Sequence, residues 1–238
     1  MIDLPELKYN GNPAFSPNMA DLERLHKLII DNFCVTVLEF GCGYSTFVIT
    51  DALRTNMERW NALENKPDVR NSQMFWCHSV DTNIKWINEV YDKLNDNSRI
   101  SIKYSKCVGS SFSGRHCHCY SDLPNIVPDF IYIDGPDPAQ IENDNGFWSG
   151  CPERTPMSAD LLMMEPTLIP GTIVLIDGRT NNARFLQGNL KRLWSFDRNR
   201  EDDYTLMRLE ESRLGKINVI GRDILQHGIH KQKKRTAA

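Results

Sequence analysis

Apolar residues in this chain recur at two spacings. Residues 19–31 place Leu22, Leu25, Leu28 and Ile29 one helical turn apart, which predicts an amphipathic helix. It leads into a first strand over Cys34–Phe40. A second helical pattern covers 46–60, and polar residues 61–73 read as a loop. A short apolar strand at 74–80 ends at Asp81. Helix 83–95 follows, with Ile84, Ile87, Tyr91 and Leu94 on one face, and then strand 99–105. Residues 106–125 are polar and read as irregular. Strand 130–133 ends at Asp134, and a loop rich in Gly, Pro and Asn runs to about 156. A helix at 158–167 precedes strand 172–176, which ends at Asp177. The next helix carries Ala183, Leu186, Leu190 and Leu193 in register. Late strands are predicted near 203–210 and 216–220 as a terminal hairpin.

Strands alternating with helices imply an α/β fold: a doubly wound, mostly parallel sheet with helices on both faces and a C-terminal antiparallel hairpin. A length of 238 residues suits one domain, taken as 1–225, with 226–238 as a basic tail expected to be flexible. Apolar content of 40% and charged content of 25% are ordinary for a globular protein. A net charge of −3 gives no global attraction to nucleic acid or to an anionic membrane. The sequence has no apolar run of transmembrane length, and its start lacks the apolar stretch of a signal peptide. Seven cysteines, an odd count in a chain too large to need staples, point to a reducing, cytoplasmic setting.

Ligands of doubly wound sheets sit outside the carboxyl ends of the strands. Three predicted strands end there in Asp81, Asp134 and Asp177, and Glu39 adds a fourth acid near the end of the first. The segment 37-VLEFGCGYST-46 continues from Glu39 into Gly41, Gly43, Ser45 and Thr46. A dinucleotide fingerprint needs a third glycine where Thr46 stands, and an acid about twenty residues on, well before Asp81. No G-K-[ST] follows, so a P-loop is excluded.

E-x-G-x-G ending strand one, an acid ending strand two, and the segments 129-DFIYIDGP-136 and 170-PGTIVLIDG-178 together resemble the class I S-adenosylmethionine-dependent methyltransferases, small-molecule O-methyltransferases in particular. The resemblance runs from about residue 20 to 195 and implies a Rossmann-like methyltransferase fold. It implies S-adenosylmethionine as cofactor, held by Glu39, Gly41, Gly43, Ser45, Asp81 and Asp134. The loop after strand three, which borders adenine in that family, is here Cys107-Val108-Gly109, making Val108 the adenine candidate. The cofactor carries no phosphate, so bare backbone and carboxylates suit its ribose, ammonium and sulfonium.

In the cation-dependent O-methyltransferases, strands four and five end in aspartates that hold a divalent ion, and an asparagine follows the second. Here Asp134 and Asp177 occupy those places, but Gly178 replaces the asparagine, with Asn181 and Asn182 displaced. Mg²⁺ is therefore compatible but not favoured, and no metal is assigned. Candidates for a catalytic base are Asp134, Asp137, His116 and His118. The run 116-HCHC-119 alternates, so its histidines share one face of an extended chain. The Cys-x-Cys spacing is too tight for a zinc knuckle, and a plain solvated loop is the preferred reading. In the loop 135–156, Phe147 and Trp148 are placed to close on a substrate, and Arg179 to meet an acidic one.

The leading functional reading is methyl transfer to an oxygen of a small molecule or sugar, with no nucleic acid or membrane partner; the chain is compatible with a homodimer. A second reading takes 134-DGPDP-138 as similar to the amine-binding segment of polyamine aminopropyltransferases. A third is a non-catalytic protein that binds a cofactor or partner.

Overall fold

The computed structural model describes residues 3–96, 98–136, 138–147, 150–151, 153–155 and 157–225. The basic tail, Asp137 and Trp148 lie outside them. The chain opens with two short strands, β1 (Lys8–Tyr9) and β2 (Asn12–Pro13), paired antiparallel. Helix α1 (Met19–Asp31) starts at Asn18, whose side chain accepts the Ala20 amide at 3.1 Å, and buries Leu22, Leu25 and Ile29. Then come β3 (Thr36–Phe40), α2 (Tyr44–Asn61), β4 (Trp76–Asp81), α3 (Ile84–Asp92) and β5 (Ile100–Tyr104). A smaller sheet intervenes, formed by β6 (Cys107–Phe112), β7 (Arg115–Tyr120) and, after β8 (Phe130–Ile133), the short β9 (Ile141–Glu142). Helix α4 (Asp160–Met164), β10 (Ile173–Asp177), α5 (Thr180–Gln187), β11 (Trp194–Asn199) and β12 (Tyr204–Leu209) complete the order.

The main sheet has seven strands in the order β11-β12-β10-β8-β3-β4-β5. The five from β10 to β5 are parallel; β12 runs antiparallel to β10, and β11 antiparallel to β12. This is the doubly wound, mostly parallel sheet with a C-terminal hairpin that the sequence predicts. Alternate residues of each strand feed opposite faces. Val37, Phe130, Ile173 and Leu175 join α1 and α2 in one core layer; Leu38, Phe40, Ile131, Ile133, Val174 and Ile176 join α4 and α5 in the other. From β3 the chain winds outward through β4 and β5, then returns to β8 on the other side. The carboxyl ends of β3 and β8 therefore flank the switch point, where such sheets leave a crevice.

Three local expectations need correction. Residues 106–125 are not irregular: β6 and β7 form a hairpin, closed by Ser113-Gly114, both with positive φ. Two such residues match the twist of paired strands, and Ser-Gly is a turn signal the polar composition obscured. The helix after β10 stops at Gln187, with Gly188 at its C-cap, so Leu190 and Leu193 lie beyond it. The terminal hairpin is accordingly β11 and β12, not 203–210 with 216–220. Val219 and Ile220 are buried without forming a strand, Val219 in a satellite cluster with Phe33, Val35, Phe75 and Ile224. No helix among the described residues is long and apolar enough to cross a membrane.

Candidate functional site

A cavity of about 740 Å³ opens at the switch point. Its floor is the turn after β3, and its sides are the ends of β4, β8 and β10. The turn is shaped by a close approach of two glycines. Gly41 has φ +94°, and a Cβ placed on Gly135 would meet Gly41 N and Cα at 2.8 Å. Gly135 has no room for a side chain, and at Gly41 one would be strained by the positive φ and crowded at 3.3 Å, so the cavity floor is bare backbone. Gly43 is less constrained: its backbone is extended (φ 167°), and a Cβ there would only touch the Trp86 ring at 3.6 Å.

Glu39 does not line the cavity. It is 1% exposed, and three hydroxyls donate to its carboxylate: Ser45 (2.5 Å), Thr46 (2.7 Å) and Ser79 (2.5 Å). The Thr46 hydroxyl also accepts the Gly43 amide at 3.0 Å. Glu39 thus braces the glycine turn from behind. Burial pushes its carboxyl up to about 7, although the three hydroxyl bonds pull the other way. Gly41, Gly43 and Ser45 do form part of the wall.

Asp81 stands on the wall at the end of β4 and is 8% exposed. One carboxylate oxygen accepts the Asn83 amide at 2.8 Å and the other the Cys42 amide at 3.1 Å. Burial raises its pKa against those two bonds. Asp81 therefore ties the β4 end to the glycine turn while facing the cavity. The Asn83 side chain caps α3, aiming Trp86 inward; the Trp86 ring nitrogen donates to Cys42 O at 2.5 Å.

Asp134 and Asp177 share the opposite wall. Asp134 is open to the crevice yet walled by protein on most sides. That partial loss of water, offset by Arg179 and reinforced by Asp177, pushes its carboxyl up to about 6. Asp177 accepts the Tyr132 hydroxyl at 3.0 Å, and burial raises its pKa too. Arg179 does not reach for a substrate. Its guanidinium donates to the backbone oxygens of Asp134 and of Pro136, the latter at 3.0 Å. A neighbouring recess continues the cavity past Asn18 and Asp21, where Arg24 pairs with Asp21 at 2.7 Å.

Other sequence candidates lie elsewhere. Val108 is in β6, between Cys119 of β7 and Glu142 of β9, off the cavity wall, because the chain turns into the hairpin directly after β5. His116 is exposed and stacks on Phe147 (centroids 4.0 Å apart), which also carries the Arg154 guanidinium at 4.3 Å. His118 is 1% exposed, its Nδ1 lies 3.1 Å from Cys107 Sγ, and burial with nearby Arg179 pushes its pKa down to about 3. Neither histidine, nor Phe147, lines the cavity. The Asn181 amide donates to Thr155 Oγ1 at 3.2 Å, and Asn182 is buried against Ser158. Among the described residues no three His, Cys, Asp or Glu side chains converge as metal ligands.

The sequence reading missed the outer wall. Residues 9–18 cross the cavity mouth as an arm. Leu7 is fully buried, the Lys8 amide donates to Glu89 at 2.9 Å, and Tyr9 meets Trp86 edge-on at 5.9 Å while accepting from Asn83 at 3.1 Å. Phe15, 98% exposed, projects from this arm. Tyr9 and Phe15, isolated aromatics in a polar stretch punctuated by Pro13 and Pro17, were the available signal. Gln140, on the short 3₁₀ turn after β8, also joins the wall.

No family model matches this chain, and no curated protein is similar to it. Among solved structures it is similar to the O-methyltransferase TomG from Streptomyces achromogenes, crystallised with SAM (12% identity, 84% of each chain, TM-score 0.47). It is also similar to an O-methyltransferase from Bacillus cereus in complex with SAH (12%, 84% of each chain, 0.46). A third is SAH-bound PaMTH1 of Podospora anserina (12%, 82% of this chain and 80% of that one, 0.47). Likeness at this level says nothing of chemistry, so the site's own geometry carries the functional reading.

Proposed function

We propose that this protein is an S-adenosylmethionine-dependent methyltransferase acting on an oxygen of a small molecule. One observation carries the reading: four carboxylates, Asp21, Asp81, Asp134 and Asp177, line the main cavity, and among the described residues no Lys, Arg or His does. Such a wall repels pyrophosphate and phosphorylated ligands and favours a cationic one. The two amides just before α2 are also taken up internally, Cys42 by Asp81 and Gly43 by Thr46. A nucleoside bearing a sulfonium and an ammonium suits both features.

Asp81 accepts the two ribose hydroxyls, and the bare backbone at Gly41 and Gly43 lets the amino-acid end approach closely. When bound, the cofactor supplies an electrophilic methyl group. The chain's work is then to align an acceptor hydroxyl opposite the sulfur, which is mainly positioning. Asp134, at the junction and raised to about 6, takes the hydroxyl proton as the methyl passes from sulfur to oxygen. Mg²⁺ has no assigned part in this scheme.

Calorimetry with S-adenosylmethionine, S-adenosylhomocysteine and NAD tests the reading. Micromolar binding of the first two is expected; heat with NAD alone sinks it. Tritiated-methyl transfer to a panel of hydroxyl acceptors then tests the reaction.

A further inference from the structure

We infer that Gln140 reads the nucleobase, replacing the loop after β5 as the specificity contact for adenine. The inference rests on the nucleoside reading of the cavity. The residues after β5 pass directly into the β6–β7 hairpin, which takes Val108 off the wall. A base carried by a ribose on Asp81 instead meets what lies just past the β4 end. There Thr82, the next residue, donates its hydroxyl to Gln140 Oε1 at 2.6 Å. Gln140 reaches this point from the turn after β8, fifty-eight residues away in sequence, and it is half-buried on the cavity wall.

In the Thr82 bond the amide oxygen of Gln140 faces the hydroxyl. With its oxygen occupied, the NH₂ group is the end left for the cavity, and it is a donor only. Adenine offers an acceptor at N1. Hypoxanthine carries a proton there and meets the same NH₂ donor to donor. A site built around one hydrogen bond rejects the mismatched analogue strongly, because a polar group is left unpaired. Gln140→Glu keeps the shape and the Thr82 bond but turns the inward donor into an acceptor.

The test is calorimetry on the full chain with S-adenosylhomocysteine and S-inosylhomocysteine, alongside thermal melts of each variant. Wild type is expected to prefer the adenine compound by at least about tenfold. Gln140→Glu should bring the two within about threefold of each other or reverse them, by losing affinity for one and gaining it for the other. Gln140→Leu should bind both weakly and without preference. The gain for S-inosylhomocysteine is the readout that misfolding cannot imitate. The inference is overturned if wild type binds both equally, or if either variant keeps the wild-type ratio. Wild type binding neither compound removes the nucleoside reading itself, and the inference with it. Binding without discrimination removes the inference alone.

Discussion

Gly135, just past β8, rests its backbone on that of Gly41, just past β3, closely enough that one methyl group between them would stand 2.8 Å from Gly41 Cα. The two loops at the switch point are thereby one surface. Gly135→Ala should force them apart and cost about 1–3 kcal/mol of stability, the range for overpacking. S-adenosylhomocysteine affinity should fall with it. Gly43→Ala, whose added carbon only touches Trp86, should melt within a degree or two of wild type. Equal melting temperatures for both variants would refute this account of the turn.

Asp81→Ala should weaken S-adenosylhomocysteine binding by about 1.5–3 kcal/mol, the range for hydrogen bonds to a charged group. Asp81 also accepts the Cys42 and Asn83 amides on separate oxygens, and Asp81→Asn can keep only one of those bonds, so thermal melts of both variants separate loss of the turn from loss of the ribose contact. Titration calorimetry showing wild-type affinity in both would place the ribose elsewhere.

Tyr9→Ala removes the edge contact with Trp86 and the bond from Asn83. Aromatic pairs of this kind contribute about 0.5–1.5 kcal/mol. Dissociation of S-adenosylhomocysteine, followed by stopped-flow, should accelerate by roughly 2- to 13-fold, while Tyr9→Phe stays near wild type.

Buried acids set the pH dependence of folding. Glu39, Asp129 and Asp160 are each pushed up to about 7, first of all by burial. Between roughly pH 4 and 7 the folded protein keeps protons that the unfolded chain has lost. Stability is therefore fully present below the unfolded pKa values and declines as pH rises toward 7. Glu39→Gln should flatten that decline. Melting curves at half-unit steps from pH 4.5 to 8 measure the slope; an unchanged slope in the variant contradicts the assignment.

Catalysis should respond in the opposite sense. If Asp134 takes the acceptor proton it must be ionised, so kcat/KM should fall as pH drops through about 6. Asp134→Asn should remove that limb and most of the rate with any acceptor found in the tritiated-methyl panel. An acidic limb that survives in the variant would assign the proton to another group.

The central strands β3, β4, β8 and β10 were legible because they are buried on both faces and announce themselves as largely apolar runs, as in 130-FIYI-133. The acids at strand ends were legible for the same reason, since each marks where the run stops. Glu39 was visible as a residue, but its role as a brace behind the turn depends on Ser79, forty positions on, whose hydroxyl carries no sequence signal of its partner. The β6–β7 hairpin was hidden by polar strands on a half-exposed small sheet. Gln140 and the arm at residues 9–18 join the site only through tertiary folding; the arm's isolated Tyr9 and Phe15 were its one local mark, and Gln140 had none.

Arg179 has a wider consequence through its grip on the backbone oxygens of Asp134 and Pro136. It bolts the β8 loop to the β10 loop, so the two acids beside the reacting centre share one rigid jaw. The opposite jaw is the segment 9–18, held mainly at Tyr9 and at the Asn18 cap. Any widening of the mouth to admit a bulkier acceptor has to come from that side. Efforts to re-tailor what enters should therefore vary Ala14, Phe15 and Ser16 and leave the Arg179 bolt alone.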